Sequence, residues 1–520
     1  MQRKSLEAMA VTTARSPSSG NAAPRLRVLH AAVECMPFAT TGGLGDVLAA
    51  LPGAQRQSGI DARIILPRYG FLAESLVRGP VVAELAALGH RARIIESTTR
   101  ANGAPLYWCD IPALFGGCAD PYRRADGQEL EDLALRFAAF SEAVARFACL
   151  EDGFAPQQVH VHDWHAALVP AWLRQLDGPG AVLSIHNLAF QGRFDAALLQ
   201  RCNVPAAALP EVQGPDGSFL RAGIRFSDMT LTVSRSYAQE IQQPGQGFGL
   251  DALLRDEAAA GRLRGIVNGI DEEDWDPRSD PALAHRYGLE DVGAGKRANR
   301  RALANELQIE PSERPLLAFV GRLTEQKGAD LIAELGDRLL EFDAHYVLIG
   351  VGDGELTRRL QQLQARAPSR IAFCNRYDAA LVRRTLAAAD LLLMPSRFEP
   401  CGMLQMYAQR YAAVPVVRAT GGLIDTVVDA IDATLADGTA TGVQFRDADV
   451  GGLDYGIRRG LELLGNAAIR QQLRERGMTR PFSWTSTAAE YVQLYREGID
   501  RQPASALDSA SASKLSLSVT

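Results

Sequence analysis

The chain has 520 residues, too many for one compact core, so more than one domain is expected. Lys and Arg number 55 against 61 Asp and Glu, and this net charge of −6 argues against a nucleic-acid-binding protein, which usually carries a basic excess. The 7 Cys form no CxxC pair and no apolar run is long enough to span a bilayer, so the composition predicts a reducing, cytoplasmic location without disulfides, structural zinc or membrane spans.

The N-terminal half begins with a low-complexity segment and then reads as alternating strands and helices. Residues 1–24 are rich in Ser, Ala and Thr and are predicted to be a disordered extension. A strand at 26–33, a loop with Gly42 and Gly43, a helix at 46–57 and a strand at 62–67 form a βαβ unit, which implies parallel pairing. Further strands at 159–161, 181–185 and 229–233, with a helix at 132–148, complete a domain over residues 25–270.

The alternation of strands and helices restarts after residues 271–281, an acidic segment with Trp275 and two prolines that predicts a linker. Wholly apolar runs at 316–320, 346–350, 371–373, 391–394 and 414–417 predict strands buried on both faces, with helices such as 330–340 between them. Residues 282–484 are therefore a second domain, and residues 503–520 a disordered tail. The fold class is α/β, with two doubly wound, Rossmann-like domains in tandem and a ligand site expected in the cleft between them.

One motif occurs in both halves. TGGLGDV at 41–47 returns in outline as TGGLIDTV at 420–427, each time between a strand and a helix. Paired glycines let the backbone approach a ligand, and the N–H groups of a helix start favour anions. The alternative is a pair of tight turns with helix caps; the presence of one copy in each domain favours a ligand.

Two further loops follow strands of the second domain. In GRLTEQKG at 321–328, Arg322 and Lys327 suit a diphosphate, although a solvated loop would show the same charges. In SRFEPCGM at 396–403, Glu399 precedes a proline, so its carboxylate either caps a helix or accepts hydrogen bonds from sugar hydroxyls. GVGDG at 350–354 lacks the third glycine of a dinucleotide fingerprint and predicts a turn.

Polar and aromatic residues also follow strands of the first domain. HDWH at 162–165 places two His three positions apart, but no third metal ligand lies nearby in the sequence, so no metal is predicted. A sugar site fits better, with His162 bonding hydroxyls and Trp164 covering C–H surface. His186 and Asn187 lie at a second such strand exit.

Together these motifs resemble those of bacterial glycogen synthases and plant starch synthases, from about residue 26 to residue 495. The resemblance adds HNLAFQG at 186–192, VNGID at 267–271 and FSWTSTAAEY at 482–491 to the motifs above. Tyr407 stands where many glycosyltransferases of the same fold have a second Glu, as in the glycogen and starch synthase group.

The resemblance implies a glycosyltransferase B fold and transfer of glucose from ADP-glucose to the non-reducing end of an α-1,4-glucan such as a glycogen primer. Configuration would be retained and no metal or other cofactor is expected. Arg322 and Lys327 would neutralise the leaving diphosphate, Glu399 would orient the donor glucose, and His162 would lie near the reacting carbon. The other donor positions would be Thr40, Gly42, Gly43, Asn268, Gly402, Gly421, Gly422 and Leu423, and the other acceptor or sugar positions Asp46, Trp164, His186 and Asn187. A last helix, at 485–502, would return to the first domain.

One position departs from the family pattern. The family usually has Lys directly before TGGL, where this chain has Thr40, and the loss of that charge predicts weaker donor binding or an altered donor preference. UDP-glucose as donor or a small sugar as acceptor therefore stays open, as does a glucan-binding protein without catalysis. The sequence also leaves the oligomeric state open, including a homo-oligomer.

Overall fold

The computed structural model describes residues 25–124 and 126–500. The predicted N-terminal extension and C-terminal tail lie outside the described residues. The chain divides into two compact units. Unit 1 holds the described residues up to Thr232, Ile241–Ile266 and the described residues from Trp484 onward. Unit 2 holds Val233–Glu240 and Val267–Ser483.

Strands and helices alternate along most of the chain, as predicted, but four successive strands lie between residues 61 and 110 without a helix among them. The strands are β1 Arg27–Ala31, β2 Asp61–Pro67, β3 Val81–Ala87, β4 His90–Ala101, β5 Ala104–Asp110, β6 Gln158–His162, β7 Gly180–Ile185, β8 Met229–Thr232, β9 Leu263–Gly265, β10 Leu316–Val320, β11 His345–Ile349, β12 Ile371–Cys374, β13 Leu391–Met394, β14 Val414–Arg418 and β15 Val443–Phe445. The α-helices are α1 Gly43–Gln57, α2 Pro112–Phe115, α3 Leu133–Ala148, α4 Val169–Gln175, α5 Ala196–Gln200, α6 Leu209–Val212, α7 Phe219–Phe226, α8 Arg235–Glu240, α9 Asp251–Ala259, α10 Val292–Leu307, α11 Ala329–Leu335, α12 Gly354–Arg366, α13 Ala379–Ala388, α14 Leu404–Arg410, α15 Gly422–Thr426, α16 Asp432–Ala436, α17 Val450–Gly465, α18 Ala467–Thr479 and α19 Trp484–Asp500. Short 3-10 helices lie at Trp164–Ala166, Ala206–Ala208, Glu325–Lys327 and Gly336–Glu341.

The sheet of unit 2 is parallel throughout, with strand order β12-β11-β10-β13-β14-β15. When β10, the first strand of this sheet along the chain, is numbered 1, the order becomes 3-2-1-4-5-6, which is that of a dinucleotide-binding fold. Every residue of β11 and β13 is buried, as the apolar runs predicted. Flanking helices are amphipathic: α12 starts where the Asp353 side chain accepts the Leu356 N–H, and it buries Leu356, Leu360 and Leu363. The prediction of a doubly wound α/β domain is confirmed here.

The sheet of unit 1 is only partly parallel, and this differs from the prediction. Its strand order is β3-β4-β5-β2-β1-β6-β7-β8-β9. The seven strands β5, β2, β1, β6, β7, β8 and β9 pair in parallel, whereas β4 runs antiparallel to both β3 and β5. The β4–β5 turn is Asn102-Gly103, with φ of 44° and 83°. Asn-Gly with positive φ at both positions is a strong hairpin signal, and the sequence analysis overlooked it.

Residues 271–281 are a packed part of unit 2, and their prediction as a linker is wrong. The Trp275 ring stacks on Tyr407 at 3.8 Å, and the Arg383 guanidinium lies 4.0 Å from the centre of the Trp275 ring. Asp280 is buried and accepts hydrogen bonds from the Tyr411 hydroxyl at 2.5 Å and from Arg383 at 3.3 Å. At least one carboxylate of the predicted linker thus takes part in the packing of unit 2.

The C-terminal helix α19 packs within unit 1, where α1 is its main helical neighbour. Its Tyr495 is buried and accepts a hydrogen bond from the Gln55 side-chain amide of α1 at 3.1 Å. Among residues 25–124 and 126–500, no helix is both long and apolar enough to cross a bilayer.

Candidate active site

Three of the predicted motifs leave neighbouring strands of unit 2 at the same sheet edge. Residues 321–328 follow β10, residues 396–403 follow β13 and residues 420–427 follow β14. Because these strands are adjacent and parallel, their carboxyl ends bring the three loops together. The strand order reverses between β10 and β13, and ligands of open α/β sheets bind at this switch point.

An ion pair joins the first two loops. Lys327 Nζ lies 2.5 Å from Glu399 Oε2, and the Ser396 hydroxyl donates to the same oxygen at 3.1 Å. The Glu399 side chain is 6% exposed and that of Lys327 23%. Glu399 is therefore a buried carboxylate held by a cation, a partnership the sequence analysis did not foresee.

Arg322 differs from Lys327 in its surroundings. Its side chain is exposed, and one guanidinium N–H group donates to Gln326 Oε1 at 3.1 Å. A guanidinium that is exposed and bound to a neutral amide keeps its full charge for an anion. Arg322 is thus the more available of the two predicted cations.

The second TGGL motif packs tightly on the loop that holds Glu399. Gly421 has φ +48°, and a Cβ added there would lie 2.0 Å from the Glu399 carbonyl oxygen, so only glycine fits. Its N–H donates to the Glu240 carboxylate at 2.8 Å, the Gly422 N–H to the Glu399 carbonyl at 3.0 Å, and the Leu423 N–H to the Thr420 carbonyl at 3.1 Å. The prediction that these amides face a donor is therefore corrected, because each already has a protein acceptor.

Asn268 and Gly402 lie beside these loops. The Asn268 side chain is buried, and its Oδ1 has no hydrogen-bond partner among the described residues. Its backbone N–H donates to the thiol of Cys401, whose pKa burial raises to about 12. Gly402 follows with φ +68°. A buried amide oxygen without a partner is costly in a folded protein, and a bound hydroxyl would satisfy it.

The GVGDG segment was predicted to be a turn, but it runs alongside Leu323, which forms a parallel bridge with Gly352, and then enters α12 at Gly354. The Leu323 N–H donates to the Val351 carbonyl and the Asp353 N–H to the Leu323 carbonyl, both at 2.9 Å. These bonds support the loop that carries Arg322.

In unit 1 the first TGGL motif is held by a carboxylate that the sequence analysis missed. Glu34 follows β1, is buried, and accepts the N–H of Thr41 at 2.6 Å, its hydroxyl at 2.5 Å and the Gly42 N–H at 3.1 Å. Thr40 is exposed and its hydroxyl donates to the Gly42 carbonyl at 3.2 Å. Gly43 and Asp46 are exposed in the first turn of α1.

The same motif in unit 2 has a matching arrangement. Glu240 accepts both the Gly421 N–H and, at 3.2 Å, the Thr420 hydroxyl. Burial raises the pKa of Glu240. In each unit, then, a glutamate fixes the threonine and the first glycine of the repeated motif.

His162 ends β6 next to β1 and β7, but its ring does not face an open site. It is fully buried; its Nε2 lies 3.1 Å from His30 Nδ1, and its Nδ1 lies 3.0 Å from His186 Nε2. Both ring nitrogens are engaged by other imidazoles. The prediction that the His162 ring bonds sugar hydroxyls is corrected on this ground.

Trp164 is a core residue, which corrects its assignment as a sugar platform. It is 7% exposed, stacks on His165 with ring centres 4.1 Å apart, and meets Phe137 edge to face at 5.2 Å. A Cβ added to Gly192 would lie 2.4 Å from the indole ring. Neighbouring groups therefore occupy the ring surface that a sugar would need.

His186 and Asn187 form the half-buried exit of β7. Asp163 orients this exit by accepting the N–H of His186 at 2.7 Å and that of Asn187 at 3.4 Å. Burial raises the pKa of Asp163 to about 7. Asn187 Oδ1 accepts the Ala189 N–H at 3.1 Å, which closes a local turn. His186 is the more accessible of the imidazoles at this edge.

Among the described residues, His30, His160 and His162 bring ligand-type nitrogens within 4.8 Å of one another. The His160 and His162 rings are stacked with centres 4.3 Å apart and planes at 28°. An imidazole offers its lone pair in the ring plane, so stacked rings do not aim at a common ion. Both ring nitrogens of His160 are also hydrogen-bonded, one to the Tyr495 hydroxyl and the other to the Ser184 hydroxyl. The arrangement is that of a hydrogen-bonded cluster.

Comparison with known proteins gives consistent matches along the chain. The family model for the starch synthase catalytic domain matches residues 27–256, and that for glycosyl transferases group 1 matches residues 304–444. The chain is 40% identical to a glycogen synthase of Dechloromonas aromatica (strain RCB), covering 91% of this chain and 99% of that one. A glycogen synthase of Thioalkalivibrio sulfidiphilus (strain HL-EbGR7) is also 40% identical, with the same coverage.

The chain belongs to the glycogen synthase family. It is therefore a glycosyltransferase enzyme. The catalytic domain of starch synthase IV from Arabidopsis thaliana, solved with ADP and acarbose, is 31% identical with a TM-score of 0.81 and covers 92% of this chain and 100% of that one. A sucrose-phosphate synthase from Thermosynechococcus elongatus, at 18% identity and a TM-score of 0.56, shares the fold. The predicted glycosyltransferase B fold is confirmed.

For this member of the glycogen synthase family, the sequence motifs marked the right loops but missed the side chains that support them. Glu34 lies just after β1, and that position is a usable signal. Glu240 lies at the end of α8, far in sequence from the loop that it supports, and no local pattern distinguishes it.

Proposed function

We propose that this member of the glycogen synthase family transfers glucose from ADP-glucose to the non-reducing 4-hydroxyl of an α-1,4-glucan, with retention of configuration. The observation that carries the proposal is the pairing of an exposed Arg322 with the Lys327–Glu399 ion pair at the switch point of unit 2. The relative solved with ADP and acarbose, a glucan-like ligand, supports a nucleotide sugar and a glucan as the substrates.

The two cations would act on the leaving group. Departure of the diphosphate concentrates negative charge on its oxygens while positive charge grows on the sugar ring. Arg322 would bind the diphosphate through two N–H groups of its guanidinium. The Lys327 ammonium group, which is paired with Glu399, would also donate a hydrogen bond to the nearest phosphate oxygen. Groups that bind the departing charge more strongly than the ground state lower the barrier.

Glu399 would orient the donor glucose. When a phosphate shares Lys327, the carboxylate regains acceptor capacity for sugar hydroxyls, and the Ser396 hydroxyl still holds one of its oxygens. Asn268, with its buried Oδ1 lacking a protein partner among the described residues, would accept a further hydroxyl. Both groups exploit the polarity of the glucose ring and would not distinguish the nucleotide base.

Unit 1 would serve the acceptor and the reacting sugar through the β6 and β7 exits and the first TGGL loop. His186 and Asn187 offer half-buried polar groups, and Asp46 an exposed carboxylate at the start of α1. His162 would contribute through its buried contact with His186. We favour attack by the acceptor on the face that the diphosphate leaves, with the departing phosphate taking the hydroxyl proton.

We propose that this reaction needs no metal, because Arg322 and Lys327 supply the charge that a divalent ion would otherwise bring to the diphosphate. This rests on Arg322 and Lys327, the two cationic side chains of the loop after β10. It is tested by adding EDTA to a metal-free assay.

The test of the function is glucan elongation from a glycogen primer with ADP-glucose and, separately, UDP-glucose, with nucleotide release measured in parallel. The expected result is elongation that is faster with ADP-glucose. Faster elongation with UDP-glucose would overturn the donor assignment. Nucleotide release with a free sugar but not with glycogen would overturn the acceptor, and glycogen binding without release from either donor would overturn catalysis.

A further inference from the structure

A continuous hydrogen-bonded chain of buried side chains runs through unit 1 to the β7 exit. From the inside outward, the Gln55 amide nitrogen donates to the Tyr495 hydroxyl at 3.1 Å, and its Oε1 lies 2.7 Å from His30 Nε2. His30 Nδ1 lies 3.1 Å from His162 Nε2, and His162 Nδ1 lies 3.0 Å from His186 Nε2. Gln55, His30 and His162 are fully buried, whereas His186 is half-buried.

The rings of this chain are neutral at physiological pH. Burial lowers the pKa of His30 and of His186 to about 4, and lowers that of His162 well below its usual range. A neutral imidazole has one N–H donor and one acceptor nitrogen, so fixing one end of the chain fixes every ring in turn.

The fixed end is the Gln55 carbonyl oxygen, which only accepts. His30 must therefore carry its proton on Nε2, which leaves Nδ1 to accept from His162 Nε2–H. His162 Nδ1 then accepts from His186 Nε2–H. By this order the Nδ1 of His186 is an acceptor at the accessible end of the chain.

The nitrogen end of the Gln55 amide contacts α19. Its nitrogen donates to the Tyr495 hydroxyl, which in turn lies 2.6 Å from His160 Nδ1. His160 is anchored by the Ser184 hydroxyl, 2.7 Å from its Nε2. Reversal of the amide would place its oxygen against Tyr495 and reverse the proton order of every ring as far as His186.

We propose that Gln55 and Tyr495 are positioning residues that lock His186 as the Nε2–H tautomer, so that its Nδ1 accepts a hydrogen bond from a hydroxyl of a sugar substrate. The proposal rests on the proposed glucosyl transfer for the identity of the substrate, and on the hydrogen-bonded chain alone for the tautomer. It makes the C-terminal helix a part of the site, acting through three imidazoles.

The tautomer is tested directly by long-range 15N–1H NMR correlation on the full chain labelled with 15N-histidine, with the His30, His162 and His186 signals assigned by single substitutions. The expected pattern is Nε2–H for all three rings. In Tyr495→Phe, the signals of His162 and His186 should show mixed tautomers. Nδ1–H rings in the wild type, or an unchanged pattern in the variant, would overturn the proposal. The NMR measurement does not require turnover, so a wrong tautomer assignment can be distinguished from a wrong assignment of the enzymatic function.

Kinetics test the consequence for the sugar. Tyr495→Phe and Gln55→Leu are each expected to lower kcat/KM for glucan elongation about three- to tenfold, the range for one lost or weakened hydrogen bond. The matched control is Tyr107→Phe, which removes a buried hydroxyl of unit 1 that bonds Arg63. Equal kcat/KM values in Tyr495→Phe and the control would contradict the positioning role.

A further variant keeps the test decisive if Tyr495→Phe folds poorly. Gln55→Leu removes the acceptor oxygen that faces His30 Nε2 and leaves Tyr495 in place. We expect mixed tautomers at His30, His162 and His186 in its spectrum. An unchanged Nε2–H pattern in Gln55→Leu would refute the proposal.

Discussion

The Lys327–Glu399 ion pair allows a quantitative test of how the candidate site is built. Truncation in Lys327→Ala leaves a carboxylate that is 6% exposed with the Ser396 hydroxyl as its remaining side-chain donor. Breaking a buried pair by removing one partner costs about 3–5 kcal/mol. Since the Lys327 side chain is 23% exposed, water replaces part of the loss, and we expect the free energy of unfolding to fall by about 2–3 kcal/mol.

The second variant, Glu399→Gln, keeps an oxygen that can accept from both partners and leaves the lysine partly solvated. We expect it to reduce the free energy of unfolding by about 1 kcal/mol. In the double variant no buried charge is left unpaired, so its loss should be smaller than the sum of the single losses by about 1–2 kcal/mol.

The assay is urea unfolding of the wild type, both single variants and the double variant. The exposed pair Arg358–Glu355, with side-chain exposures of 55% and 60%, provides the control, and Arg358→Ala should leave the free energy of unfolding nearly unchanged. Additive losses in the two single variants would refute the coupling. Lys327→Ala should still fold, because a stable domain has about 5–15 kcal/mol in total, and its turnover should fall steeply.

The remaining predictions concern acid stability, donor binding and metals. The pKa values of His30 and His186, near 4 when folded against 6.5 when unfolded, give a contribution to stability that is complete above pH 6.5 and is lost as pH falls toward 4, at about 1.4 kcal/mol per pH unit for each ring. Urea unfolding between pH 7 and pH 4.5 should show this fall, and a flat profile would contradict it. Thr40→Lys restores the charge that the family usually carries before TGGL and should lower KM for ADP-glucose about tenfold in an elongation assay, with an unchanged KM counting against a donor contact at this position. EDTA should leave the elongation rate of the wild type unchanged, and a loss that Mg²⁺ restores would contradict the proposed charge balance.

The sequence was most informative where local pattern and tertiary environment agree. The five apolar runs predicted as strands in the second domain correspond to β10 to β14. They could be predicted because strands that are buried on both faces are apolar along nearly their whole length. The loops after those strands were predicted as ligand sites because parallel strands end at one edge. Their convergence on Lys327 and Glu399 follows from the same rule.

The role of a side chain could not be predicted from the sequence where it depends on partners that are distant along the chain. Trp164 follows a strand, as a sugar-binding aromatic would, but Phe137 and His165 enclose it. Asp280 lies in the acidic segment that was predicted to be a linker, but its carboxylate accepts hydrogen bonds from Arg383 and Tyr411, which lie about a hundred residues or more away in the sequence. His162 was predicted at the correct strand end, but one of its ring nitrogens is hydrogen-bonded to His30, which lies more than a hundred residues earlier in the chain. No local spacing encodes such contacts.

The central claim is that fixed positive charge at the end of β10 holds the diphosphate of the donor. Calorimetric titration of the wild type and Arg322→Ala with ADP and with adenosine tests it most directly, with Arg358→Ala as the control for a lost exposed arginine. Arg322→Ala should weaken ADP binding about ten- to a hundredfold, leave adenosine binding unchanged and leave the free energy of unfolding nearly unchanged. Equal ADP affinity in the wild type and Arg322→Ala would contradict the claim.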